Sequence, residues 1–132
     1  MKLLRRVLYW QAALWAAATV PLVAAPAWLV ERLLDQPPLG EDAWLRAMGA
    51  MAFVLALLMV LVAHHLDDVW WWAWAFVVLE AGTAAIFVLN ALAGLGERAA
   101  AWPWWLLGAV NLLVGALELA GLARAGTERQ ID

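Results

Sequence analysis

Residues 43–63 read AWLRAMGAMAFVLALLMVLVA, and Arg46 is their only charge. No face of a helix or strand drawn through them would be polar enough to meet water. Crossing the hydrocarbon core of a bilayer as a helix takes roughly 20 such residues, and this run has the length. Lipid also demands that every backbone polar group be satisfied within the segment, which a helix does. Three further runs share the character: residues 7–30, 69–93 and 102–123. Between them lie ERLLDQPPLGED (31–42), HHLDD (64–68) and GLGER (94–98), with turn signals in Pro37, Pro38 and Gly40. Short connections force consecutive helices to be antiparallel neighbours. The pattern predicts an all-α integral membrane bundle of four helices, up-down-up-down, as a single domain over residues 1–132. Pro21 and Pro26 should kink or loosen the second half of span one. Pro103 falls in the first turn of span four, where proline is tolerated.

Composition agrees. Of 132 residues, 67% are hydrophobic and 14% charged, against roughly half and a quarter in soluble domains. The absence of cysteine excludes disulfides, thiolate metal sites and cysteine nucleophiles. A net charge of −3 and a pI near 5.2 argue against a nucleic-acid partner. The start MKLLRR resembles a signal peptide, but its apolar run outlasts a typical h-region, and Pro26 follows the small residues Val23-Ala24-Ala25. The run reads as an uncleaved first span.

Lys2, Arg5, Arg6, Arg124 and Arg129 fall on one side of such a bundle. Arg32, Arg46 and Arg98 fall on the other, among acidic residues. The positive-inside rule then places both termini in the cytoplasm. The Ala, Leu, Trp and Arg usage suggests a GC-rich bacterial genome, and so a bacterial cytoplasmic membrane. The chain carries 11 tryptophans. Trp70, Trp71, Trp72 and Trp74 cluster at one predicted boundary, and Trp102, Trp104 and Trp105 at the other. That reads as an aromatic membrane belt, or as the lining of a site for a flat hydrophobic molecule such as a quinone, pigment or lipid.

Ionisable groups inside a membrane are costly, and each is a functional candidate. Glu80 lies about 16 Å into span three at 1.5 Å per residue, and Asn111 lies at similar depth in span four. A Glu80–Asn111 hydrogen bond is expected across the two helices. Phe76, Glu80, Thr83, Phe87 and Asn90 form one stripe. Gly108, Asn111, Gly115 and Glu118 form another, and Arg46, Gly49, Phe53, Leu57, Val60 and His64 a third. All three are expected to face inward, as interhelical packing or as a polar pocket that binds a ligand or relays a proton. Glu118 is expected near the end of span four, converging with His64, His65, Asp67 and Asp68. Histidines and carboxylates suit a divalent metal, yet His64 and His65 point about 100° apart on a helix, which disfavours a shared ion. Arg46 is expected to snorkel to headgroups or to pair with Glu41 or Asp42. No phosphate-cradling glycine loop, HExxH or GxSxG is present.

Arg46-Ala47-Met48-Gly49, the mid-membrane Glu80 and the pair Glu118-Leu119 resemble the DoxX-like set of small bacterial four-helix membrane proteins. The resemblance spans most of the chain, and the tryptophan-rich start of span three lies outside it. It implies the four-helix fold and an accessory role beside membrane oxidoreductases for some members. Two functions follow as expectations. One is an accessory or structural subunit of a larger membrane complex or homo-oligomer, without a cofactor. The other is a binding or transport module for a hydrophobic small molecule or a proton, centred on Glu80 and Asn111.

Overall fold

In the computed structural model, α1 is Lys2–Ala24 and α2 is Ala43–His64. A short α3, Leu66–Val69, leads into α4, Ala73–Ala93, and α5 is Trp102–Arg129. Residues 1–94 and 98–129 are described; residues 95–97 with Glu97, the last three residues and the side chain of Arg129 lie outside the described residues. Among the described residues, four helical segments are long and apolar enough to cross a membrane. Large apolar side chains cover the outside of the bundle, among them Trp44, Met51, Val54, Val78 and Leu92. That is a surface for lipid, and the chain is a multi-pass membrane protein.

The helix boundaries depart from the predicted spans where proline and charge intervene. α1 begins with the basic residues, because Lys2, Arg5 and Arg6 can extend their long side chains toward water while the backbone stays helical. It carries Pro21 internally and ends at Ala25 rather than at 30. Ala25 precedes Pro26, whose ring crowds the preceding residue out of helical geometry, and Ala25 has φ −145°. The chain then winds into a π-helical turn, Trp28–Leu33, and turns at Asp35 with φ 50°. The predicted third span starts as α3, tightens into a 3-10 turn at Trp70–Trp72 and continues as α4. α5 extends past residue 123 as far as Arg129.

Hydrogen bonds and close contacts give the directions. Arg46 at the start of α2 donates from Nη1 to Val23 O at the end of α1 (2.9 Å), and Arg5 Nε donates to Ala63 O (3.1 Å). These two helices are therefore antiparallel. Gly115 of α5 lies beside Glu80 of α4, and Gly108 lies beside Phe87 and Val88, so α4 and α5 are antiparallel too. The hairpins meet along α1 and α5, where Gly121 touches the backbone of Leu4. A Cβ at Gly121 would stand 2.9 Å from Leu4 Cα, and one at Gly49 would stand 2.6 Å from Val23 Cγ2. Only glycine permits either approach. The bundle thus has a terminal end, near Leu4 and Gly121, and a loop end, near Val23 and Trp104.

The terminal half is close-packed. Leu4, Leu8, Met59, Leu66, Phe76 and Leu122 form its core. The inward stripe expected on α2 is corrected here: Phe53, Leu57 and Val60 are exposed, and the buried face is Gly49, Ala52, Ala56, Met59 and Ala63. In lipid a bulky apolar side chain gains little by turning inward, whereas small residues let backbones approach and pack. The stripes on α4 and α5 do face inward, with Phe76, Glu80, Gly108, Gly115 and Glu118 all buried.

Candidate functional site

Toward the loop end the two hairpins part and leave a cleft of about 300 Å³. Its walls come from Leu14, Ala18 and Leu22 of α1, Met48 and Ala52 of α2, Phe87 of α4, and Leu107 and Val110 of α5. Leu14, Ala18, Met48 and Val110 are exposed, so the rim opens to the lipid-facing surface. The loop-end boundary is a latch. Phe87 packs on Trp104 with ring centroids 5.8 Å apart, and Trp104 Nε1 donates to Gln36 Oε1 (3.3 Å). Gln36 Nε2 donates to Leu34 O (2.7 Å) and Ala100 O (2.8 Å). One buried glutamine therefore ties the first loop to the start of α5.

The polar groups of the cleft are Gln11, Trp15, Glu80, Thr83 and Asn111. Glu80 is 2% exposed. Its Oε1 accepts from Gln11 Nε2 (2.7 Å) and from Trp15 Nε1 (3.1 Å). The expected Glu80–Asn111 bond does not form. Asn111 Nδ2 donates to Leu107 O one turn back on its own helix (2.8 Å), and Glu80 is held by α1 instead. Both line the same cleft all the same. Thr83 Oγ1 donates to Leu79 O (2.7 Å), so its hydroxyl oxygen keeps acceptor capacity. With both donors on Glu80 Oε1, Oε2 has no donor among the described residues and is the natural acceptor for a bound molecule.

The remaining predicted residues disperse. Glu118 is buried in the bundle and far from the end of α5, because the helix continues to Arg129. Its expected convergence with His64, His65, Asp67 and Asp68 does not occur. His64 and His65 are exposed, with rings packed edge to face at 5.2 Å, and His65 Nδ1 lies 3.1 Å from Leu61 O. Asp67 binds Arg5 (2.8 Å). No three metal-ligating side chains come together among the described residues. Arg46 bonds Asp42 (3.1 Å) and Val23 O, outside the cleft. Trp70 packs against the apolar core, and Trp71, Trp72 and Trp74 are about half exposed. None of the four lines the cleft. They lie at the terminal end, where α3 tightens into the Trp70–Trp72 turn and α4 begins. Trp102 and Trp105 are likewise exposed, while Trp104 belongs to the latch.

The two donors that hold Glu80 are the Trp15 indole and the Gln11 amide. Neither was picked out from the sequence. The signal existed: Gln11, Trp15 and Thr19 recur every fourth residue through an otherwise apolar span, which is one helical face. Compared with known protein families, curated proteins and solved structures, the chain shows no match.

Proposed function

We propose that this chain is a membrane-embedded binding module for a hydrophobic small molecule whose polar head hydrogen-bonds in the cleft. The observation that carries this reading is the position of Glu80: a buried carboxyl, oriented by two donors, at the floor of an apolar cleft that opens toward lipid. Small-molecule sites are mostly apolar with a few placed polar groups, and run from about 300 Å³ upward. This cleft is at the small end of that range. It suits a single ring or head with its apolar tail left in the bilayer, as in a quinone, a pigment or a lipid. Glu80 Oε2 and the Thr83 hydroxyl would accept from such a head, and Asn111 lines the same cleft. From residue usage we place the protein in a bacterial cytoplasmic membrane, and from the charge distribution we place both termini inside.

A second reading is the accessory subunit that the DoxX-like resemblance implies. One feature favours it. Ala81, Gly82 and Ala85 are exposed on α4, and a Cβ at Gly82 would meet nothing. A patch of small residues on a lipid-facing helix allows another helix to approach.

Purification in nanodiscs, with mass spectrometry of everything retained, separates the two. The binding reading expects an apolar small molecule that is lost in Val110→Trp, which fills the cleft. A stoichiometric membrane protein, retained by wild type and lost when Gly82 becomes Leu, with no small molecule present, would replace it with the accessory reading.

A further inference from the structure

Glu118 is fully buried, and neither of its carboxyl oxygens meets a hydrogen-bond donor among the described residues. The same holds for Oε1 of Gln11, itself 1% exposed. An ionised carboxylate without donor or counter-charge is very costly inside a membrane. A carboxyl that carries its proton is neutral and becomes a donor.

The helix directions bring these groups together. Each Cα–Cβ bond tilts toward the N-terminus of its own helix. α4 and α5 are antiparallel, so Glu80 leans toward the terminal end and Glu118 leans toward the loop end. Gly115 sets the backbone of α5 against Glu80, 3.4 Å from its Cβ to the ideal Cβ position. Glu118 follows on the same face, about 4.5 Å further along the axis. Gln11 already donates to Glu80, and its own Oε1 is buried without a donor among the described residues. The apolar core of the terminal half is neutral: Leu4 and Leu8 from α1, Met59 from α2, Phe76 and Val77 from α4. On α1, Arg5 is engaged by Ala63 O and Asp67, and Arg6 is exposed. Below Glu118 the apolar core closes the terminal half; above it lies the cleft.

We propose that Glu118 and Glu80 hold one exchangeable proton between them, and that this proton enters and leaves through the cleft rather than through the terminal half. Two carboxylates this close cannot both be ionised cheaply, and a single proton, carried on one carboxyl oxygen, gives one neighbouring oxygen the donor it lacks. The proposal goes beyond the binding reading and does not depend on which molecule the cleft takes.

Infrared difference spectroscopy on the full chain in ligand-free nanodiscs tests it. Wild type is expected to show one protonated carboxyl C=O band, of one proton equivalent, that responds to pH and to deuterium. Glu118→Gln should remove the band. Glu80→Gln should keep it at a displaced frequency, which serves as the readout if the first variant fails to fold. Ala18→Phe, at the exposed rim of the cleft, should slow deuterium exchange of the band about tenfold, equivalent to about 1.4 kcal/mol on the exchange barrier. Absence of the band at neutral pH overturns the proposal. So does a band that answers to sodium at fixed pH, which would make this a metal-ion site. Unchanged exchange in Ala18→Phe overturns the route through the cleft.

Discussion

The two halves of the bundle are built from similar residues and do different things. Leucines sit in both: Leu4 and Leu8 are wholly buried in the terminal half, while Leu14 is 47% exposed at the cleft. What differs is how closely the backbones approach. At the terminal end Gly121 lets α5 touch the backbone of Leu4, and the side chains of four helices close around that contact. At the loop end α1 stops at Ala25 ahead of Pro26, and the hairpins are joined by the Gln36 latch rather than by packing. The lesson is that apolar content alone does not make a core in lipid. Contact distance does, because the gain there is dispersion and packing rather than escape from water.

The difference between the halves is most exposed to change at the closest backbone contact. Gly121→Val should cost the most, about 3 kcal/mol or loss of the folded state, since overpacking against backbone has no rotamer remedy. Thermal unfolding followed by tryptophan fluorescence reads it. Wild-type stability in that variant would mean that the α1–α5 contact does not hold the terminal half. Next comes a matched pair of truncations. Leu8→Ala should destabilise by about 2 kcal/mol, at the low end for a core leucine because the separated helices are already in an apolar medium. Leu14→Ala should fall within about 0.5 kcal/mol, as surface changes do, while enlarging the cleft. Equal effects in the two would erase the distinction between core and cleft.

Glu80→Leu should weaken ligand binding about tenfold and cost about 1 kcal/mol, by leaving the Gln11 amide and Trp15 indole donors unpaired. Titration of a quinone or lipid analogue into nanodiscs, run beside unfolding, separates the two effects. Unaltered affinity would remove Glu80 from the site. Arg46→Ala should be milder. It removes a donor to Val23 O at the break in α1, worth about 1 kcal/mol, with no change in binding, because Arg46 is not in the cleft. Smallest of all, Gly82→Ala should leave stability level or raise it by a few tenths of a kcal/mol in isolated protein, since the added methyl meets nothing and alanine is the better helix former.

Much of this was legible in the chain. α2 coincides with its predicted span to within one residue, because an apolar run bounded by charges has one stable conformation in lipid. The inward face of α4 was legible from Glu80, which lipid would not tolerate, and that of α5 from Gly108, Gly115 and Glu118. The inward face of α2 was not, because a helix apolar on every side carries no polarity signal to orient it. There, side-chain size was the informative variable. The length of α1 turned on the local chemistry of Ala25-Pro26, which is readable, and its site residues on Gln11 and Trp15, which a hydropathy view averages away.

Residue chemistry by itself determined that the chain must cross lipid as helices, how many long apolar segments it has, and that Glu80 and Glu118 need partners. Those follow from local physics: backbone groups satisfied within a segment and the cost of charge in hydrocarbon. Only the tertiary structure decided that Glu80 is held from α1 rather than by Asn111, that Glu118 meets no donor among the described residues, and that the hairpins part into a cleft. Those depend on the angle and register between helices far apart in the chain, which glycine contacts at one end and a proline break at the other set jointly.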